Sequence, residues 1–315
     1  MPVPPSESQQ DPRIRVDMAG LQRLGSQAQA LSFLPRPPAR SILNGRHGSK
    51  LRGRGLNFEE LREYVDGDDI RTIDWKVTAR TRVPHVRVYS EERDRPTLLL
   101  VDQRMSMFFG SILYMKSVVA AEAAALTAHR VLAQGDRVGG LVFGDDLLAE
   151  HRPQRSRRAL EQFLQSVAKA NGLLRADAPV TQSVSINRVL RAAVRIAKSN
   201  TSVLIFSDFD GIDGDTEKLV ATLAQANDMI VLNVSDAMVS GLPDGLKLTV
   251  TDGGLQAQLD TDAVTSRRKI EAFIEGRITE VATWSRKYGF PLLPLTTSEP
   301  ALGQIQRLLG HRARR

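Results

Sequence analysis

The chain has 315 residues, 42% hydrophobic and 25% charged, with a formal net charge of +7. That is the composition of a globular protein long enough to bury a core without covalent staples. The absence of cysteine excludes disulfides, thiolate metal sites and cysteine nucleophiles, and fits a reducing compartment.

The tightest apolar cluster, Leu98 to Val101, is far short of the roughly 20 residues that span a bilayer. The opening MPVPPSESQQDPR lacks the regions of a signal peptide. The chain therefore reads as cytoplasmic, with no membrane insertion. Basic residues cluster at Arg46 to Arg54, at Arg152 to Arg158 and at Arg312, Arg314 and Arg315. No aromatics interleave them, so a solvated surface is expected and no nucleic-acid partner.

Residues 1–12 are polar and proline-containing and read as disordered. Asp17 to Leu34 carries Met18, Leu21, Leu24, Ala28 and Leu31 at helical spacing, and Pro35, Pro37 and Pro38 stop it. A glycine-rich loop follows, without the full spacing of a phosphate loop. Asp66-Gly67-Asp68-Asp69 is turn chemistry, and Val86 and Val88 mark a strand. From residue 96 strands and helices alternate. Strands are expected at 97–101, 137–143, 202–207, 229–234 and 291–295, with a hairpin partner near 147–151 and a second hairpin around Asp252-Gly253-Gly254. Helices are expected at 111–133, from Ser156, and at 184–197, 215–226, 264–288 and 300–309. This order predicts a doubly wound, mostly parallel α/β sheet with helices on both faces.

In such sheets functional groups collect beyond the carboxyl ends of the strands. Asp102 closes the strand TLLLVD and Asp208 follows VLIFS. Each could be a helix cap, a metal ligand or a catalytic carboxylate. The run Asp102-Gln103-Arg104-Met105-Ser106 resembles the Asp-x-Ser-x-Ser element of the metal-ion-dependent adhesion site of von Willebrand factor A domains, with arginine at the first serine position. The resemblance implies that fold over roughly 96–311.

A second resemblance is denser. Gly55, Phe58, Leu61-Arg62, Tyr64, Gly67-Asp68-Asp69, Arg71, Ile73-Asp74-Trp75, Thr78-Ala79-Arg80, Val86-Arg87 and Glu91-Glu92-Arg93 are similar to the bacterial family called domain of unknown function 58. The likeness continues through Met107, Phe109-Gly110-Ser111, Lys116 and Gly135 to Gly139. It implies a von Willebrand factor A-like domain and a partnership with MoxR-type AAA+ ATPases, beside which such proteins are often encoded. The resulting division is 13–95 as an N-terminal helix and β extension, 96–311 as the A-like domain and 312–315 as a basic tail. The alternating charges around Trp75 suggest an ion-pair lattice that buries the indole, or a docking surface built on Arg62, Tyr64, Gly67, Asp68, Asp69, Arg71, Asp74, Trp75 and Arg80.

The resemblance also places the third metal-ligand position among Ser183, Val184 and Ser185. Arg104 offers a cation no lone pair and cannot lose its proton. It could instead bridge Asp102 and Asp208. The site then reads as a degenerate adhesion site formed by Asp102, Arg104, Ser106, Ser183, Ser185 and Asp208, without Mg²⁺ or another cofactor. The expected function is a non-enzymatic protein-binding module. The alternatives are a hydrolase using Asp102 and Asp208, and nucleic-acid binding through the basic surface. The five histidines have no zinc spacing and no Gly-x-Ser-x-Gly elbow occurs.

Overall fold

A computed structural model describes residues 11–29, 31, 56–91, 96–145, 148–175, 184–236, 247–251, 256–260 and 264–309. The chain divides into two compact units, residues 1–34 with 95–315, and residues 35–94.

The larger unit is built on a six-stranded sheet. Its strands are β3 (Thr97–Asp102), β4 (Val138–Phe143), β5 (Leu148–Gln154), β6 (Ser202–Ser207), β7 (Asp228–Ser235) and β10 (Leu292–Thr296), in the order β10-β7-β6-β3-β4-β5. All neighbours run parallel except β5, which is antiparallel to β4 at the edge. A separate antiparallel hairpin pairs β8 (Lys247–Thr251) with β9 (Gln256–Asp260).

β3 shows why this sheet must be covered twice. Its side chains alternate between two buried faces, Leu99 and Val101 on one and Leu98 and Leu100 on the other. The Leu99 face packs with α3 (Lys116–Ala133), α4 (Arg157–Leu173) and α8 (Ala301–Leu309). The Leu98 face packs with α5 (Ile186–Ile196), α6 (Gly214–Ala226) and α7 (Val264–Tyr288). Alanines at 120, 121, 123, 124, 125 and 128 are all buried, and their small size lets α3 lie close to the sheet. Strand order reverses between β3 and β6, because the chain leaves β3 toward β4 and leaves β6 toward β7. Asp102 and Asp208 stand at that switch point, on neighbouring strands.

The N-terminal helix α1 (Met18–Ala28) is capped by Asp17, which accepts from the Gly20 amide, and it packs on α3 and α4. It therefore belongs to the larger unit and not to the β extension with which the sequence groups it. Leu21 and Ala28 join the core on the Leu99 face, which a short amphipathic helix needs to be stable. The expected disorder of residues 1–12 and the basic tail at 312–315 fall outside the described residues, apart from Asp11 and Pro12, where Asp11 receives the Arg13 guanidinium.

In the smaller unit β1 (Leu56–Glu63) pairs antiparallel with β2 (His85–Glu91), and between them lie a 3₁₀ turn at Ile70–Thr72 and the short helix α2 (Trp75–Thr81). Arg62 binds Asp68 through both terminal nitrogens at 2.8 and 2.7 Å. Asp74 caps α2 by accepting from the Lys76 and Val77 amides, and its other oxygen receives Arg87 Nε at 2.8 Å. Asp69 caps the 3₁₀ turn through the Arg71 amide, and the Tyr64 amide donates to the Pro84 carbonyl. Gly67 sits in the turn between β1 and the 3₁₀ segment.

The expectation of a buried indole is overturned, because Trp75 is 70% exposed. It is the first residue of α2, and the Ile73–Val86 bridge and buried Val86 close the hairpin without it. Ion pairs among the described residues join Arg62 to Asp68 and Arg87 to Asp74. Arg71 and Arg80 are exposed.

Candidate functional site at the strand ends

Asp102 is completely buried and its oxygens are saturated with donors. Oδ1 accepts from the Arg104 amide and from Arg104 Nε, both at 3.0 Å. Oδ2 accepts from Arg104 Nη2 at 2.8 Å and from the Ser207 hydroxyl at 2.6 Å. A carboxylate offers about four lone pairs, and these four donors use them. The fit comes from local geometry, since residues 102 and 104 lie two apart at a strand end and the arginine folds back as a bidentate fork.

Arg104 is itself only 3% exposed. Its Nη1 donates to the Asp210 carbonyl at 3.0 Å, and its guanidinium carbon lies 5.6 Å from the centre of the Phe143 ring. Burial by itself would lower its pKa, but the Asp102 charge and hydrogen bonds together with the Asp208 and Asp210 charges outweigh that and hold the pKa above the usual arginine value. The arginine therefore chelates one carboxylate and does not bridge both as the sequence suggests, since its nearest approach to Asp208 is 4.0 Å.

Asp208 has a cation of its own. Lys116 Nζ donates to Oδ2 at 2.6 Å, and Oδ1 accepts from the Asp210 amide at 3.0 Å and from Ser106 Oγ at a long 3.4 Å. Burial would raise the Asp208 pKa, but the Lys116, Arg277 and Arg104 charges together hold it below the usual value. The sheet-end crevice thus sets buried Asp102 and Asp208 against buried Arg104 and Lys116, with buried Asp236 at its rim. Arg277 of α7 adds a further ion pair with Asp210.

Ser185 does not reach this cluster by any described contact. It caps α5, accepting from the Asn187 amide at 3.2 Å, and Val184 beside it is buried in the Leu98-face core. Ser183 lies outside the described residues. Of the six residues singled out, four come together: Asp102, Arg104, Ser106 and Asp208.

Sequence reasoning missed Lys116, Ser207, Asp210 and Arg277 as members of the cluster. Lys116 left a signal. It stands at the first position of a helix rich in alanine and valine, where the helix dipole disfavours a cation. A lysine in that place needs a nearby carboxylate.

The loop from β3 to α3 forms one rim of the site. Asp236 accepts from the Ser111 amide at 2.9 Å, from the Ser111 hydroxyl, and from Thr297 Oγ1 at 2.6 Å. The Tyr114 amide donates to the Thr297 carbonyl and the Lys116 amide to the Phe109 carbonyl. Gly110 passes so close that a Cβ would lie 2.1 Å from the Tyr114 carbonyl oxygen. This tied loop leaves Phe109, Ile112 and Leu113 exposed to 46%, 68% and 36%.

The strand order with its one antiparallel edge, the helices on both faces and the carboxylates at the switch point define a doubly wound α/β domain, the plan that the resemblance to von Willebrand factor A domains implies. The chain belongs to the protein family of unknown function DUF58, whose model matches residues 60–277. Uncharacterized proteins of Mycobacterium tuberculosis and Mycobacterium bovis are each 28% identical over 294 residues, 93% of this chain and 90% of the relative. Among solved structures the chain is similar to BatB from Bacteroides thetaiotaomicron (16% identity, TM-score 0.42, covering 68% of this chain and 96% of that one). It is also similar to the SpRpn10 VWA domain (13% identity, TM-score 0.37, covering 70% and 99%). Among the described residues no helix is long and apolar enough to cross a membrane.

Proposed function

We propose that this protein is a non-enzymatic protein-binding module whose strand-end face docks a partner without a bridging metal ion. The observation that carries the reading is Arg104 chelating the buried Asp102 beside a tied loop that exposes Phe109, Ile112 and Leu113. A metal-dependent adhesion site needs carboxylate and hydroxyl oxygens with lone pairs to spare. Here the Asp102 oxygens are engaged, Arg104 holds a hydroxyl's place, and Lys116 neutralises Asp208. The same pairing suits scaffolding better than proton transfer, because each carboxylate is hydrogen-bonded to a fixed cation.

Exposed aromatic and aliphatic side chains on a rigid loop are what an interface needs at its centre. Trp75 on the smaller unit offers a second anchor of the same kind. On the family resemblance, the partner is a MoxR-type AAA+ ATPase and the setting is the cytoplasm.

The test is a pull-down with the purified MoxR-type ATPase encoded in the same genome, with Mg²⁺–ATP and in chelator with no nucleotide. The reading expects capture by the wild type in both, and loss of capture by Phe109→Ser/Ile112→Ser with its melting temperature unchanged. Capture that disappears whenever chelator is added to the nucleotide-free sample would overturn metal-independent docking. Capture unaffected by the loop variant would move the docking surface elsewhere.

A further inference from the structure

The smaller unit carries a surface that the strand-end site does not use, the outward side of α2. Asp74 accepts the Lys76 and Val77 amides at the helix start and takes Arg87 Nε on its other oxygen. The Asp74 amide donates to the His85 carbonyl, and the His85 amide donates to Thr78 Oγ1. Asp74 and Thr78 are four apart and share one stripe of the helix, so these bonds turn that stripe toward β2.

The opposite stripes are exposed. Trp75 and Ala79 form one of them, and Lys76 and Arg80 the next. Tryptophan and arginine side by side on a surface are the residue types that carry most binding energy at protein interfaces.

Arg82 adds a third cation in an unusual way. It ends α2 at φ 61°, in the left-handed region, and its amide donates to the Thr78 carbonyl. Glycine is the usual residue at such a position, because a Cβ is strained in that conformation. A cation offsets the dipole at this end of a helix, a role that Arg80 in the last turn already fills. Strain of this kind gathers where a side chain is held for a ligand.

Among the described residues Lys76, Arg80 and Arg82 enter no ion pair. Asp68 and Asp74 are taken by Arg62 and Arg87. No acid lies between Trp75 and Val83, and the exposed acids Glu63, Asp66 and Asp69 all precede Ile70. Further along the hairpin Glu60 stands opposite Val88, about 10 Å from His85, and Glu91 ends β2, about 20 Å from it.

Resting on the reading of this protein as a binding module, we propose that the outward side of α2 takes an acidic segment of the partner that also carries an apolar side chain. The carboxylates pair with Lys76, Arg80 and Arg82, and the apolar group packs on the Trp75 ring. A membrane or a nucleic-acid backbone spreads negative charge over a wide area, which the exposed Glu63, Asp66 and Asp69 of the same unit oppose. A short acidic segment meets the three cations alone.

The protein offers its own probe. Of its two tryptophans Trp284 is buried and Trp75 is exposed, so acrylamide quenches Trp75 first. The full chain is titrated with a short peptide of glutamates around one leucine, at fixed ionic strength. The expected result is saturable binding that protects the indole from acrylamide, with a lysine version of the peptide silent. Lys76→Glu/Arg80→Glu should weaken binding by at least about tenfold, the scale of one or more lost hydrogen bonds to a charged group. Lys76→Gln/Arg80→Gln should weaken it less and serves if the reversed charges impair folding. Arg82→Gly should also weaken binding, while its melting temperature holds or rises because the left-handed strain is gone. Quenching that never saturates, equal affinity in the wild type and the charge-reversed variant, or undiminished binding by Arg82→Gly would overturn the proposal. So would phosphatidylglycerol vesicles or a single-stranded oligonucleotide that protects the indole at lower concentration than the peptide, or self-association of the chain that Trp75→Ala abolishes. No ATPase takes part, so failure here and failure of the strand-end loop to capture one are read separately.

Discussion

Lys116 and Asp208 are 92 residues apart in the chain, yet Nζ and Oδ2 meet at 2.6 Å beneath the strand-end surface. The lysine opens α3, the aspartate follows β6, and both are nearly inaccessible to water. Beside them Arg104 and Asp102 form a second buried pair two residues apart in sequence. Each of these two acids therefore has a cation hydrogen-bonded to it without any added ion, and Arg104 also lies 4.0 Å from Asp208.

Removing Arg104 should be costly. Breaking a buried ion pair from one side leaves an uncompensated charge, typically at about 3–5 kcal/mol. Arg104→Ala should therefore melt well below the wild type in chelator. Arg104→Ser removes the blocking charge and restores a hydroxyl, so its melting temperature should rise when millimolar Mg²⁺ or Mn²⁺ is added, by mass action on the folded state. The wild type should not shift. An equal shift in both proteins would show that the guanidinium does not stand in for a metal.

The Asp208 pair makes a prediction in acid. Its pKa is held below the unfolded value of 3.8, so the pair's stabilisation is complete above that value and is lost as pH falls through the lower folded one. Lys116→Met removes the main local partner and leaves burial to push the carboxyl up. The midpoint of acid unfolding, followed by circular dichroism, should move to higher pH. Lys116→Met/Asp208→Asn should recover part of the loss at neutral pH, because no buried charge is then orphaned.

Glu122, in the middle of α3, carries the opposite sign. Burial raises its pKa from 4.5 to about 7. A raised carboxyl favours the fold while protonated, so its contribution is full below 4.5 and is lost as pH rises through 7. Glu122→Gln should therefore stabilise by about 1–3 kcal/mol at pH 8 and by almost nothing at pH 4. Chemical denaturation at the two pH values would check this, and an equal effect at both would contradict it.

Trp75 should be nearly silent in stability. A side chain 70% exposed contributes little to a core. Trp75→Ala should change the unfolding free energy by no more than about 0.5 kcal/mol. A loss of several kcal/mol would mean that the indole is covered in solution.

The sequence alone determined the layered α/β plan and the address of its site. Strand and helix periods are local, so TLLLVD and VLIFSD announced two buried strands ending in acids. Arg104 was legible as an anomaly because it lies two residues from Asp102. Strand-to-helix alternation did not reveal which cation would meet Asp208, because that depends on β3 and β6 being neighbours and on how the loop before α3 closes. For the same reason the sequence let one arginine bridge both acids, where the folded geometry gives it 2.8 Å to one and 4.0 Å to the other. Burial is likewise a property of the assembled chain. A tryptophan amid dense charges looked like a core residue, but at the first position of α2, next to the capping Asp74, it is exposed.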